Sequence, residues 1–403
     1  MTKNAFWKVS LPFVMVNAIV WGVGSISLPL LAKTNSRAGL VFAMINLGIA
    51  IGAPIWGILS RKMKISTLVF LSVTISTSIW IVLTLLNGDL LVLMSLIFGF
   101  FTAGVFALAT VRVTELYPKK EWDKYIARMQ SYMTAGQVAG ALSTSLYAGV
   151  AIGIPFLIVG IIASFPLRLV TNLSIMRNIH LPSVAPKSRF FDIMTGHYHT
   201  HFKLAHLVHF KNKVLLLFYI RWALILLAPG PVYAMYPLLM KGSFGVSHAS
   251  SSIIYSVATA LGVILFIMVG KLSEKRGPFK VFNMGTIISI VSFAMMISVQ
   301  FGFSGVLGII GVVLMILSWP FVSVGMNVGT VELVEEQKEG EALGVANALM
   351  SLDNVAGGIF GGILASISGY SILFWIGLIL SLGAFFLEFF HVHLRKAVTK
   401  PVS

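Results

Sequence analysis

Apolar runs of about 20 residues recur from one end of this chain to the other, and a helix of that length crosses about 30 Å of hydrocarbon. Twelve such runs lie near positions 6–31, 39–60, 65–86, 90–116, 129–151, 154–176, 214–240, 249–272, 281–301, 305–333, 342–367 and 371–390, numbered spans 1 to 12 below. Charge is correspondingly scarce. Of 403 residues 57% are hydrophobic and 10% charged, against about 25% charged in a soluble domain. A soluble core cannot take up that much apolar surface, so the membrane is the solvent and the expected fold class is all-α, with about 12 transmembrane helices. The first run is too long for a cleavable leader and lacks a small-residue cleavage site, so it reads as a retained span. The chain contains no Cys, which excludes disulfides, thiolate metal sites and cysteine nucleophiles.

A net charge of +16 would suit a nucleic-acid binder, but its distribution points elsewhere. With the N-terminus placed in the cytoplasm, only Lys33, Arg37 and Lys241 of the 29 Lys and Arg fall in outer loops, and only Arg112, Arg168 and Arg221 within spans. All the others collect on the inner side. That asymmetry is the positive-inside signature. The basic excess therefore sets topology, with both termini cytoplasmic in a plasma-membrane protein. It meets anionic lipid on the cytoplasmic face rather than nucleic acid.

Superimposing the two halves of the chain brings matched residues into register: Pro29 with Pro237, Gly57 with Gly270, Glu115 with Glu332, Gln137 with Asn354 and Gly140 with Gly357. The offsets grow only across loops, as they should if a six-span unit was duplicated and then acquired small insertions. The expected organisation is a six-helix bundle over 1–176, a cytoplasmic linker over 177–213, a second six-helix bundle over 214–394 and a tail over 395–403. The linker holds Pro182, Pro186 and the histidines His197, His199, His201, His206 and His209. Without a nearby Cys and with Asp192 as the carboxylate at hand, these histidines read as a basic, pH-responsive interfacial segment rather than a metal site.

Between spans 8 and 9 stand Gly270, Glu274, Lys275, Arg276 and Gly277. This loop resembles the Gly-x-x-x-Asp/Glu-Arg/Lys-x-Gly loop of the major facilitator superfamily, and the resemblance of two six-span halves covers essentially the whole chain. It implies two pseudo-symmetric bundles that carry a small solute by alternating access, with no cofactor and no resident metal. It also implies close helix packing and a tight turn at the loop glycines. The first-half counterpart departs from the pattern, with Arg61 where an acid is usual and Lys64 where Gly is usual, beside Lys62. Its opposite element is preceded by Glu335, Glu336, Glu339 and Glu341. We therefore expect a cytoplasmic gate of reversed polarity on one side (Arg61, Lys62 and Lys64 against Glu335, Glu336, Glu339 and Glu341) and ordinary polarity on the other (Glu274, beside Arg276, facing Lys119, Lys120 and Lys124). Glu115 and Glu332 sit at the rim, and the alternative is that all these are solvated loop charges.

Inside the membrane an ionisable residue costs at least about 2.5–3.5 kcal/mol at mid-helix, so each asks for a reason. Asp353, twelve residues past Glu341, lies about 18 Å into the hydrocarbon, too deep for its short side chain to reach an interface. It is either a proton-coupling carboxylate or partner of a cationic solute group, or an acid hydrogen-bonded to Asn354, Asn327 or an Arg of a neighbouring helix. Arg221 and Trp222 open span 7, and Pro229, Gly230 and Pro231 interrupt it. Each proline removes a helical donor, so the segment from Pro229 to Tyr236, with Tyr233 and Tyr236, is a candidate binding element or a packing kink. Asn17, Trp21, Gln137, Trp319 and Asn327 are further mid-depth candidates, with helix-to-helix bonding as the alternative.

No Gly-rich phosphate loop, His-Glu-x-x-His motif or Ser/His/Asp set appears, so an enzyme is not expected. The expectation is a monomeric, proton-coupled secondary transporter of a small-molecule substrate. The alternatives are an exporter of amphipathic compounds and a non-transporting receptor or scaffold of the same fold.

Overall fold

The computed structural model describes residues 3–59, 63–86, 88–116, 122–146, 151, 153–162, 164, 212–334 and 339–399, and every regular element among them is helical. Ten of these helices are long and apolar enough to cross a membrane. The chain is therefore a multi-pass integral membrane protein. The fifth span is the helix Trp122–Ser143, and the sixth is represented by the short apolar helix Gly153–Ile162. The linker and its histidines lie outside the described residues.

Helix ends follow caps rather than hydropathy. Span 5 begins seven residues before the apolar window because the polar turn after Trp122 continues the helix beyond hydrocarbon. Span 12, Ser371–Thr399, likewise runs past the expected boundary at 394. Asn212, Ser247 and Ser304 cap spans 7, 8 and 10 by accepting from backbone N–H groups of the first turn. Gly277 ends span 8 at φ 83°, a conformation that suits glycine, which is the tight turn expected of the loop. Gly270 differs from expectation. No atom of the described residues comes within 4 Å of where its Cβ would stand, so the expected close packing is not seen among them.

The lipid-facing side is plain on span 8, His248–Arg276, where Ile253, Val257, Leu261, Ile264 and Met268 recur at helical spacing and are all exposed. In water such a stripe would be a liability, whereas in lipid it is solvated.

The internal repeat reappears as packing. Gly140 of span 5 lies against the backbone of Ala18 in span 1, and its counterpart Gly357 of span 11 lies against the backbone of Gly230 in span 7. Spans 1 and 7 also share a fault at the same place. Span 1 comprises Lys3–Asn17, a π-helical stretch Ala18–Gly24, and Ser25–Leu31; span 7 comprises Lys213–Leu227, Gly230–Ala234 and Tyr236–Phe244. Both irregular stretches fall just before the matched prolines Pro29 and Pro237, at a depth where regular helix would seal every backbone group.

Among the described residues, the hydrogen bonds that join the halves lie toward one end. Span 2, Asn35–Leu59, meets span 11, Glu339–Ser368, where Gly39, Gly358 and Gly362 bring backbone against backbone. There Tyr370 donates to Asn35 Oδ1 at 2.8 Å and Asn35 Nδ2 donates to the Ala365 carbonyl at 3.4 Å. Spans 5 and 8 are joined by Gln137 to the Tyr255 hydroxyl (2.9 Å), Thr144 to Ser252 (2.7 Å) and His248 Nε2 to the Thr144 carbonyl (2.9 Å). All five bonds lie toward the end where spans 2 and 8 begin. Three turns away toward the other end, on the face that carries Gly358, Asn347 is exposed, so the halves part there.

A side chain in the glycine seam cannot coexist with this closure. We expect Gly358→Leu to open the closed end. A single cysteine at Ala365, buried at the seam, should be slow to react with a membrane-impermeant maleimide in the parent and fast in the Gly358→Leu background. Equal rates would show that the seam does not hold the closure.

Candidate functional site

The break in span 7 follows from its prolines. Pro229, Pro231 and Pro237 have no N–H, so the carbonyls of Ile225, Leu227 and Tyr233 lose their helical donors four residues on. Helix resumes with Tyr233 N bonded to the Pro229 carbonyl (2.9 Å) and Met235 N to the Pro231 carbonyl (3.2 Å), and it is interrupted again at Met235, whose φ of −104° and ψ of 6° leave the helical region. The result is a short run of backbone richer in acceptors than in donors, buried at mid-depth.

Span 11 packs directly on this break. A Cβ on Gly357 would lie 2.9 Å from the Gly230 backbone, and one on Gly230 would lie 3.5 Å from the Asp353 carbonyl oxygen. Asp353, at the middle of Glu339–Ser368, stands one turn from Gly357 and is itself half-buried. Its Oδ2 is fully buried with no hydrogen-bond partner among the described residues. The partners considered from sequence are engaged or directed elsewhere. Asn327 is exposed and donates to the Ser323 carbonyl of its own helix at 2.8 Å. Asn354 is one turn before Gly358, on the face that meets span 2.

Arg221 is committed to a different place. It is fully buried and ion-paired with Glu388 of span 12, while Nε donates to the Ala384 carbonyl (3.0 Å) and another guanidinium nitrogen to Asn283 Oδ1 of span 9 (2.5 Å). Asn283 in turn donates to Glu388 Oε1 at 2.7 Å, and the His391 ring nitrogen lies 3.4 Å from the same carboxylate. Phe218 stacks on His391 and Phe282 lies under the guanidinium. This network ties the first piece of span 7 to spans 9 and 12. Trp222 and Tyr219 tie the same piece to span 11, donating to the carbonyls of Ala346 (3.3 Å) and Ala342 (2.9 Å). Trp319 packs against Trp222, with ring centroids 6.2 Å apart.

The pieces beyond the break face the other half. Tyr236 is buried, donates to the Ser251 carbonyl (2.8 Å) and packs on Tyr255, which receives Gln137 from span 5. Tyr233 is packed into the same apolar cluster. Asn17 bonds span 1 to the Met133 carbonyl of span 5 at 2.6 Å, a contact within its own half. Trp21 borders a narrow, almost wholly apolar hollow with Val20, Phe42, Ile45 and Asn46, beside the π-helical stretch. So Asp353, Asn354, Tyr233, Tyr236 and Gln137 gather around the break and the closed junction. Arg221, Trp222 and Asn17 hold helices within a half.

Of the gate residues, Lys64, Glu274, Arg276 and Glu332 are exposed. Arg61, Lys62, Lys119, Lys120, Glu335 and Glu336, and the side chains of Glu115, Lys124, Glu339 and Glu341, lie outside the described residues. Glu388, His391, Asn283 and Tyr255 are participants that the sequence reading missed. The signal for the first two was an acid and a histidine three residues apart on span 12, at about the depth of Arg221.

Comparison with known proteins gives a consistent picture. The model of the Major Facilitator Superfamily matches residues 11–352. No curated protein matches the chain. Among solved structures, the nucleoside transporter NupG superposes with a TM-score of 0.73 at 17% identity, covering 98% of this chain and 100% of that one. A bacterial homolog of the human lysosomal transporter Spinster, in an inward-facing and occupied conformation, superposes with a TM-score of 0.74 at 14% identity, covering 100% of both chains.

Removing one member of a buried ion pair leaves the other charge stranded. Glu388→Gln should therefore destabilise the protein by about 3–5 kcal/mol. Replacing both residues, Arg221→Met with Glu388→Met, should cost much less than the single change. Thermal unfolding in detergent micelles reads both, and a double variant no more stable than Glu388→Gln would contradict this account.

Proposed function

Because the chain belongs to the major facilitator superfamily, we propose that it is a secondary active transporter that carries a small solute across the plasma membrane by alternating access, coupled to protons. The observation that carries this reading is the pairing of a one-ended junction with an unpartnered acid. Every described hydrogen bond between the halves lies toward the end where spans 2 and 8 begin, while Asp353 waits at mid-depth beside the broken span 7. By the positive-inside count the closed end is the outer one, so the conformation is inward-open, with both termini cytoplasmic. Two bundles joined at one end and parted at the other can exchange which end is joined while the middle stays covered.

In this reading the solute binds between Asp353 and the backbone freed at Ile225 and Leu227, with Tyr233, Tyr236 and Gln137 nearby. The charged residues Arg61, Lys62, Lys64, Glu274, Arg276, Glu339 and Glu341 form the cytoplasmic gate that joins when the outer end opens. Arg221 serves the site indirectly, by fixing the first piece of span 7.

Counterflow by purified protein in liposomes, over a panel of solute classes with and without an imposed pH gradient, tests the proposal. We expect exchange of one class, accelerated by the gradient, and expect Asp353→Asn to lose the acceleration. Binding without flux for every class would instead mark a receptor of this fold.

A further inference from the structure

Charge balance around Asp353 says more than that a solute binds there. Arg221, one of the three arginines that the sequence places within spans, is spent on Glu388, with Asn283 and the Ala384 carbonyl taking two further donors. Asp353 Oδ2 is buried with neither a counter-ion nor a donor among the described residues. The backbone beside it is acceptor-rich for an independent reason, because Pro229 and Pro231 remove the helical donors for the Ile225 and Leu227 carbonyls of span 7, while the Met235 N–H reaches the Tyr233 carbonyl. Gly230 and Gly357 bring that backbone and the Asp353 turn into contact, with no side chain between them that could supply a donor. A buried carboxylate oxygen without a donor is complementary to a positive charge bearing donors, and it is repulsive to another anion.

We infer that the site takes organic cations, specifically solutes carrying one ammonium-type charge on an apolar body, and that a proton occupies the Asp353 carboxylate whenever the cation is absent. This deepens the transport reading above and rests on it for the exchange step alone. The step balances simply. On release of the cation the carboxylate takes one proton from the compartment it faces, and on rebinding the cation displaces that proton, so one proton is exchanged for one cation. A neutral solute would leave the carboxylate to be satisfied by the proton in both states, and an anionic one would be repelled by the carboxylate.

The test uses the full-length protein in micelles and three apolar skeletons (butyl, phenethyl and naphthylethyl), each presented as the ammonium, the alcohol and the carboxylate. Thermal stabilisation reports binding. We expect the ammonium form of at least one skeleton to raise the midpoint while its alcohol and carboxylate do not. Asp353→Asn should abolish that preference and Asp353→Glu should retain it. With phenethyltrimethylammonium, whose charge does not titrate, the apparent affinity should fall with acidification by up to about tenfold per pH unit as the proton competes. Equal stabilisation by alcohol and ammonium, no stabilisation by any ammonium, or an ammonium preference that survives Asp353→Asn would overturn the inference. Counterflow separates it from the transport reading. A cation that binds through Asp353 but is never exchanged sinks transport and leaves the charge class standing, whereas exchange of a neutral solute indifferent to Asp353→Asn does the reverse.

Discussion

In hydrocarbon there is no water to complete an unfinished hydrogen bond or screen a bare charge, and the structure is arranged around that constraint. Nearly all of the chain obeys it by being helix. Arg221 obeys it through company: a carboxylate, an amide and a carbonyl meet its guanidinium, and aromatic rings close the compartment. Asp353 does not obey it. A charge left without a partner at this depth costs about 2.5–3.5 kcal/mol or more, and the protein has an arginine two turns of span 7 away from the break that it uses for something else. The contrast between these two residues separates what supports the fold from what the proposed function leaves for a ligand.

The same division runs along span 7. Its first piece is bonded by Tyr219, Arg221 and Trp222 to spans 9, 11 and 12 and belongs mechanically to the C-terminal half. Beyond Pro229 the chain turns toward the other half, and Tyr236 packs on the tyrosine that receives Gln137. Span 1 carries its own irregular stretch, Ala18–Gly24, in the corresponding place, and packs on span 5 through small residues as span 7 packs on span 11. Two faulted helices thus stand in corresponding places, and the second is the more broken because Pro229, Pro231 and Pro237 each remove a helical donor.

Much of this was legible in the sequence because it depends on one-dimensional patterns. Run length gave the spans, loop charge the orientation argument, and matched small residues such as Gly140 and Gly357 the repeat that packing then displays. The break in span 7 needed only the chemistry of proline. What could not be read were pairings between distant helices: that Arg221 finds Glu388 rather than Asp353, or that Gln137 reaches Tyr255, depends on which faces of spans 5, 7, 8, 9 and 12 meet. Composition carries no trace of that. Gly270 shows the reverse case, a motif glycine whose close neighbour is not seen among the described residues.

Span 11 connects the site to the junction. One of its faces presents Asp353 and Gly357 to the break in span 7, and the adjacent face presents Gly358 and Gly362 to Gly39 of span 2. These contacts are backbone on backbone, with no flexible side chain to absorb a shift, so a small change in how span 11 seats on span 7 must appear at the seam with span 2. The energies are commensurate. Moving a two-state equilibrium from one side to the other takes about 5.5 kcal/mol, and neutralising a bare mid-depth carboxylate supplies a large part of that. A single charge, gained or lost at Asp353, is therefore of the right size to bias which end of the bundle stays joined, and span 11 is the element through which it would act.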